Sequence, residues 1–340
     1  MSPPLVIHHF GPDQHTVGGM ATVIRLLTEN SVGADQAFAH ATWTPGSSLT
    51  TARLTATSLL AGLRIPVGDV AHVHLSERGS FVREGSILAL ARTRGLGTVA
   101  SIHGASFVPF ARRNPRLVAT VLGRAHAITC LDRSTLGAVR GLLPLARCEV
   151  LPNPIAIDES VSPADTTGEI VVFAGEVGYR KGSDVLVRAW ELVAERRPAA
   201  HCLIVGPITD FNPAPAPRLE VRAPVPGREM REILSQARVV ALPSRAEGVP
   251  MVLTEAMAAG RPFVSTPVGG IPEIAQAGGM LVPIGDSGAL AERLTELLAD
   301  PRLAREIGDR GRRFCSERCS FEVVGQQLRD IYTGVRARAA

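Results

Sequence analysis

Residues 246–272 read AEGVPMVLTEAMAAGRPFVSTPVGGIP, and two glutamates in this stretch, Glu247 and Glu255, stand with seven residues between them. The Gly248-Val249-Pro250 turn follows the first. Pro250 suits the first position of a helix, where its missing N–H costs nothing. That helix is expected to run to about Ala259 and to stop at Gly260-Arg261-Pro262, a glycine followed closely by a proline. A short strand over residues 262–266 comes next, and the Gly269-Gly270 turn opens another helix at Pro272. The pattern puts one carboxylate in a loop above a helix N-terminus and the other in that helix's early turns. Gly248, Val249, Pro250, Met251 and Val252 form the turn and helix start. Free backbone N–H groups and a partial positive charge there suit a phosphate. A carboxylate does not bind phosphate, but it accepts hydrogen bonds from hydroxyls, as acidic residues do with ribose in dinucleotide sites. A phosphate cradle flanked by two hydroxyl acceptors suits a nucleotide-sugar. A capped surface helix with solvated charges would explain the pair equally well if it stood alone.

The remainder of the chain sets the context. At 340 residues, two domains are expected. A hydrophobic content of 45% with only 4% aromatics fits an α/β protein packed with Ala, Val and Leu. No apolar run reaches the length of a membrane span. The N-terminal MSPPLVIHHF lacks a basic segment followed by an apolar one, so no signal peptide is expected. Five cysteines, Cys130, Cys148, Cys202, Cys315 and Cys319, form no C-x-x-C pair and read as thiols in a reducing compartment. The expected location is the cytoplasm, with peripheral contact at the inner face of the membrane as an option.

The net charge of +4 is unevenly spread. Residues 1–152 carry 14 Arg against 8 Asp and Glu, whereas the remainder carries 22 basic and 24 acidic residues. The basic half suggests an anionic acceptor, lipid-linked or phosphorylated, or an anionic membrane surface; a generic Arg-rich surface accounts for it equally well. Stacking aromatics are not interleaved with the basic residues, so nucleic acid is disfavoured as a partner. Lys181 is the only lysine in the chain. In a chain otherwise given to arginine, it marks a place where a compact ammonium suits better than a planar guanidinium.

In chain order, residues 5–10 read as a buried first strand. A loop ending in Gly18-Gly19 follows, lying before an amphipathic helix; G-x-G-x-x-G is absent, so this is no dinucleotide fingerprint. Strands near residues 37–43, 70–75, 98–103, 125–130 and 148–151 alternate with helices near 49–63, 81–94, 115–123 and 134–143. That alternation argues for a parallel, doubly wound sheet. His72 and His74 share one face of a strand. They offer two metal ligands without an evident third, so a half-buried strand is the cheaper explanation. His103 closes a strand, where α/β sheets gather ligand groups. Residues 111–124 carry Arg112, Arg113, Arg116 and Arg124 and no acid, which would suit anionic lipid or an acceptor phosphate, or simply a solvated helix face. The polar segment 153–168 reads as a linker. A second series begins with a strand at 170–174 and the loop Gly175-Glu176-Val177-Gly178-Tyr179-Arg180-Lys181-Gly182, placed before a helix that starts at Ser183. Glycines framing a helix N-terminus, with Arg180 and Lys181 beside it, suit a diphosphate. Strands near 201–206, 239–243 and 280–283, helices near 227–237 and 287–299, and two final helices near 301–315 and 321–338 complete the chain.

Taken together, these motifs resemble the retaining family 4 glycosyltransferases, whose sugar-donor signature is an E-x7-E motif. The resemblance is strongest over residues 170–301 and extends to Gly18-Gly19, His103-Gly104 and Leu151-Pro152-Asn153-Pro154. It implies a GT-B architecture, two Rossmann-like doubly wound domains with a cleft between them. The domains would be 1–152 on the acceptor side, a linker 153–168, a nucleotide-sugar domain 169–320, and a C-terminal helix 321–340 packing back on the first domain. The implied reaction is transfer of a sugar from a nucleotide diphosphate-sugar with retention at the anomeric carbon, a hexosyltransferase chemistry of class EC 2.4. Glu247 would hold hydroxyls of the donor sugar and Glu255 the ribose. Lys181, helped by Arg180, would neutralise the leaving diphosphate. His103 would contact the donor sugar, and Gly18 and Gly19 would lie near the phosphates. The family carries an arginine where this chain has Glu176, a departure that puts the phosphate contacts in question, because a carboxylate beside a diphosphate is repelled unless neutralised. No D-x-D occurs, so neither an obligatory metal nor another cofactor is expected. The alternatives are a GT-B protein with a degenerate site that acts as a binding or scaffolding partner, and an isomerase or phosphorylase of the same fold. A pyridoxal phosphate phosphorylase would need a lysine, and the sole lysine is placed at the phosphates.

Overall fold

The computed structural model describes residues 3–339. The described chain opens with β1 (Val6–Pro12), α1 (Gly19–Glu29), β2 (Gln36–Trp43), α2 (Ser48–Arg64), β3 (Val70–Leu75), α3 (Gly79–Thr93) and β4 (Gly97–Ile102). It continues through α4 (Phe107–Arg113), α5 (Pro115–Leu122), β5 (Ala127–Cys130), α6 (Arg133–Leu142) and β6 (Cys148–Val150). The next run is β7 (Ile170–Ala174), α7 (Ser183–Arg196), β8 (His201–Val205), β9 (Leu219–Arg222), α8 (Gly227–Gln236), β10 (Val239–Leu242) and α9 (Met251–Ala258). The chain ends with β11 (Phe263–Ser265), α10 (Ile271–Gly278), β12 (Gly279–Leu281), α11 (Ser287–Ala299), α12 (Pro301–Arg318) and α13 (Phe321–Ala339).

Two compact units result. The described residues up to Pro154 form one together with those from Phe321 onward, and Ile155–Ser320 form the other. The first has a six-stranded sheet in the order β2-β1-β3-β4-β5-β6, and the second a six-stranded sheet in the order β12-β11-β10-β7-β8-β9. Every pairing in both sheets is parallel. The strands explain why. All six residues of β3 and of β4 are buried, as are all four of β5 and of β10, so these strands carry no solvent face and need helices on both sides. The fold is therefore α/β with two doubly wound, Rossmann-like units. In the first, Phe10, Phe81, Phe107 and Val118 belong to one core with the sheet. In the second, Trp190 of α7 is fully buried and its indole N–H donates to Pro217 O at 2.8 Å.

Several local expectations shift. Pro250 caps α9, with φ −69° and ψ 126°, and Met251 is the first helical residue. Residues 107–113 form a helix, and 219–222 an edge strand. Glu220 and Arg222 point that strand's polarity to water, a composition suited to a sheet edge and hard to distinguish from a loop. The segment 155–168 packs into the second unit. Ile155 N–H donates to Cys319 O at 2.8 Å, and Ala164 is buried. Four arginines strap the segment down: Arg261 donates to Ser162 O at 2.5 Å, Arg305 to Asp165 at 3.1 Å, Arg312 to Asp158 O, and Arg238 to Thr167 O. Its polarity reflects backbone carbonyls taken up by guanidinium groups. The chain returns to the first unit through α13, whose Val324, Leu328, Ile331, Tyr332 and Val335 are buried. All five cysteines are buried free thiols.

Candidate functional site

In the second unit, β7 lies between β8 and β10, and the chain leaves in one direction through β8 and β9 and returns on the other side at β10. This is the strand order of a dinucleotide-binding sheet, and ligands of such sheets bind outside the carboxyl ends of the strands at the point where the order reverses. Here those ends are Ala174 of β7, followed by the Gly175–Gly182 loop, and Leu242 of β10, followed by the loop that carries Glu247.

The two loops touch through glycine. Gly182 has φ 75°, and a Cβ there would lie 2.0 Å from Pro243 O. Gly269 has φ 55°, and a Cβ there would lie 2.1 Å from Glu247 O, while Gly270 N–H donates to Gly248 O at 2.9 Å. A side chain at Gly182 would force these two loops apart, and one at Gly269 would push the turn between β11 and α10 off the Glu247 loop. Arg245 joins them further. Its two terminal nitrogens donate to the two carboxylate oxygens of Asp184, in the first turn of α7, at 2.7 and 2.9 Å. Its backbone N–H donates to Arg180 O at 2.8 Å.

This framework brings Lys181 and Glu247 together. Lys181 Nζ lies 2.6 Å from Glu247 Oε1, Arg180 Nη1 lies 3.8 Å from the same oxygen, and the Ser244 hydroxyl donates to it at 2.9 Å. All three contacts fall on Oε1. The side chains of Lys181 and Glu247 are only 14% and 7% exposed, so their attraction is screened far less than that of a surface pair. Glu176 faces Arg180, whose Nη2 lies 2.7 Å from its Oε2, and accepts from the Thr209 hydroxyl at 3.2 Å. The carboxylate in the family's arginine position is thus neutralised by Arg180 four residues on. The Gly175–Gly182 loop is held by its own contacts: Gly178 N–H donates to Ser183 Oγ at 3.0 Å and Tyr179 N–H to Asp210 Oδ1 at 2.9 Å.

Gly248 and Val249 lie in the turn and Met251 and Val252 open α9. Glu255 lies four residues into that helix, about 6 Å along its axis. It is half-buried and lines a cavity of about 770 Å³ with Arg228, Arg231 and Ser160. That cavity reaches Ile170, where β7 begins, and Gln236, where α8 ends. It therefore opens at the end of the sheet where β7 begins, opposite the carboxyl ends that carry Lys181 and Glu247.

The other predicted residues belong to the first unit. Gly18 caps α1 with φ 153°, and Gly19 is the first residue of that helix. Arg112, Arg113, Arg116 and Arg124 are exposed. His103 is half-buried just beyond β4, and its backbone N–H donates to Leu75 O at 2.8 Å. Gly104 packs so tightly on Glu77 that a Cβ would sit 2.4 Å from its carboxylate, and Glu77 accepts from Ser106 N–H at 2.5 Å.

Behind His103 stands a cluster that the sequence reading found only in part. His9 on β1 is the register partner of His72 on β3, and His74 lies two residues on, so the three share a face. Their ring nitrogens lie within 4.8 Å of one another. His9 is the third residue that pattern reading of His72 and His74 lacked, because it comes from a strand 63 residues earlier in the chain. Neutral imidazoles of this kind can hold Zn²⁺. In this arrangement they are hydrogen-bonded instead. His72 Nδ1 lies 2.7 Å from the Tyr332 hydroxyl of α13, and Nε2 lies 2.6 Å from Ser101 Oγ. His9 Nδ1 lies 3.0 Å from His74 Nε2, and His74 Nδ1 lies 2.9 Å from His103 Nε2. Burial holds all four neutral: it lowers His9 to about 3, with His8 and His40 adding repulsion, and His103 to about 4, and it takes His72 and His74 well below the usual imidazole value.

Residues 168–300, most of the second unit, match the family model for "Glycosyl transferases group 1". The chain is 34% identical over 202 residues to alpha-maltose-1-phosphate synthase of Mycolicibacterium smegmatis, covering 53% of this chain and 52% of the synthase. It thus spans about half the length of that relative. It is 29% identical over 270 residues, 70% of each chain, to a GDP-mannose-dependent alpha-(1-6)-phosphatidylinositol monomannoside mannosyltransferase of the same organism. Among solved structures, sucrose-phosphate synthase from Thermosynechococcus elongatus superposes with a TM-score of 0.77 at 18% identity, covering 98% of this chain and 100% of that one. At that identity the likeness establishes the fold, a GT-B-type chain of two Rossmann-like units.

Proposed function

We propose that this chain is a retaining glycosyltransferase that takes a sugar from a nucleotide diphosphate-sugar. The observation that carries the reading is the Lys181–Glu247 pair at the strand-order reversal of the second unit. One ammonium, one buried carboxylate and two helix N-termini meet there. Lys181 neutralises negative charge developing on the leaving diphosphate, and the N-terminus of α7 adds its partial positive charge. Arg180, tied to Glu176 at rest, supplies a second cation. Glu247, with Oε1 engaged, accepts from sugar hydroxyls through Oε2. His103 is assigned to a hydrogen bond with the sugar. The cavity that Glu255 lines opens away from Lys181 and Glu247, so the ribose role expected of it is not part of this reading. Departure of the diphosphate and attack by the acceptor hydroxyl take place on one face of the sugar, which retains configuration. Lysine and helix dipoles do the work that a metal does in D-x-D enzymes, so no metal is required. The mannosyltransferase relative is named for phosphatidylinositol monomannoside, and the +6 charge of residues 1–152 favours an anionic acceptor here. No helix among the described residues is long and apolar enough to cross a membrane.

The test is a thermal-shift panel of UDP, GDP, ADP and dTDP, with magnesium and with EDTA, on the wild type and Lys181→Ala. Binding to the folded state raises its melting temperature by mass action. The expected result is a metal-independent shift with one base that is lost in the variant. The absence of a shift with any of the four would replace this reading with that of a binding protein whose site is degenerate.

A further inference from the structure

Three histidines form a continuous line from the interior of the first unit to its candidate ligand-facing residue. His9, on β1, meets His74, on β3, through Nδ1 and Nε2 at 3.0 Å; His74 meets His103 through Nδ1 and Nε2 at 2.9 Å. Each ring is neutral, so each carries one N–H. Two arrangements keep both hydrogen bonds, and they run in opposite directions. In one, His103 Nε2–H donates to His74, His74 Nε2–H donates to His9, and His9 is left with its proton on Nε2. In the other, His9 Nδ1–H donates to His74, His74 Nδ1–H donates to His103, and His103 is left with its proton on Nδ1.

His9 decides between them. Its Nε2 is buried with no hydrogen-bond partner among the described residues, and the residue is 1% exposed. The first arrangement would leave an orphaned N–H there, a group that is genuinely rare in protein interiors. The second leaves only a bare lone pair. The line therefore runs outward from His9.

We propose that His9 and His74 are positioning residues that hold His103 in the tautomer with its proton on Nδ1, so that this ring offers a hydrogen-bond donor to an oxygen of the ligand. Free histidine prefers the other tautomer, so the line inverts the ring's default. His72 stands outside the line, because its nitrogens are already committed to Tyr332 and Ser101. The same commitment speaks against a metal among the three clustered rings, since coordination would break two short hydrogen bonds. The tautomer assignment stands on the hydrogen-bond geometry of three buried, neutral rings; its use on a ligand oxygen rests on His103 closing β4, where such sheets gather ligand groups, and on the function proposed above.

The experiment is a long-range ¹H–¹⁵N correlation spectrum of the full chain labelled with ¹⁵N-histidine, recorded at pH 7.5. The expected spectrum shows His9, His74 and His103 all protonated on Nδ1. His74→Phe keeps a ring of similar volume but no nitrogen, and it is expected to return His103 to the Nε2–H form. In that variant kcat/KM falls about tenfold, the loss of one hydrogen bond, while affinity for the free nucleotide diphosphate is unchanged. A proton on His103 Nε2 in the wild type overturns the proposal. So does one equivalent of zinc in the purified chain that His9→Ala releases, because the nitrogens would then be ligands. If the variant does not fold, the wild-type spectrum decides alone. The expected tautomers in a chain that binds no nucleotide would sink the functional reading and leave the positioning role intact.

Discussion

Glu247→Gln separates binding from turnover. In the structure, Glu247 Oε1 holds Lys181 Nζ at 2.6 Å and lies 3.8 Å from Arg180. A diphosphate that recruits Lys181 must compete with this carboxylate. A hydrogen bond to a charged group contributes about 1.5–3 kcal/mol. The amide keeps a hydrogen-bond acceptor but loses the charge, so roughly half of that competition disappears. About 1 kcal/mol corresponds to approximately fivefold in affinity. Nucleotide diphosphate is thus expected to bind three- to tenfold more tightly to Glu247→Gln than to the wild type. Turnover moves the other way. The carboxylate accepts sugar hydroxyls more strongly than an amide does, and a loss of about 3 kcal/mol is roughly a hundredfold in kcat. Calorimetry with the nucleotide found in the thermal-shift panel measures the first effect, and initial rates with its sugar conjugate measure the second. Weaker binding by tenfold or more, in a variant with an unchanged melting temperature, would refute the argument. Glu247 would then serve to aim Lys181 rather than to compete for it.

Two further outcomes follow from the geometry. Gly269→Ala places a methyl 2.1 Å from Glu247 O at φ 55°; the left-handed backbone alone costs about 1–2 kcal/mol, so the melting temperature should fall by several degrees and nucleotide binding should weaken with it, whereas an unchanged melt would show that the loop relaxes freely. The buried histidines also make stability depend on pH. His9 is lowered to about 3 and His103 to about 4 in the folded chain, against 6.5 unfolded, so below 6.5 the unfolded state binds more protons and stability falls as pH drops toward 4. Each such group contributes a slope of up to about 1.4 kcal/mol per pH unit. Urea midpoints at pH 7.5 and 5.0 check this, and equal midpoints would contradict it.

Much of the fold was legible because the pattern is strong where burial is complete. The strands over 70–75 and 170–174 and the helices beginning at Ser183 and Ser287 declare themselves through apolar runs and caps. The Asp286 side chain, for instance, accepts from Ala289 N–H at 2.9 Å at the start of α11. The helix at 107–113 was missed because Pro109 and a short length hide its period. The edge strand at 219–222 was missed because Glu220, Val221 and Arg222 are all exposed, which leaves no alternation of apolar and polar residues to read. The segment 155–168 read as a linker because the arginines that fasten it lie 71 to 154 residues away. Lys181 and Glu247 were each legible through glycine-framed loops at helix starts. Their contact was not, nor was the use of Arg180 to neutralise Glu176.

By itself the sequence determined two α/β units, the glycine-framed loops at the helix starts of the second, and residue types there that would suit a diphosphate. These follow from local periodicity, turn chemistry and helix ends, which act over a few residues. Tertiary structure alone decided which side chains meet. The strand order brings the ends of β7 and β10 together and so joins Lys181 to Glu247 across 66 residues of chain. It also sets β1 beside β3, which lines His9 up with His74 and His103. Parallel strands pair through crossovers of many residues, so no local signal records which strands become neighbours, and the chemistry of both clusters depends on that adjacency.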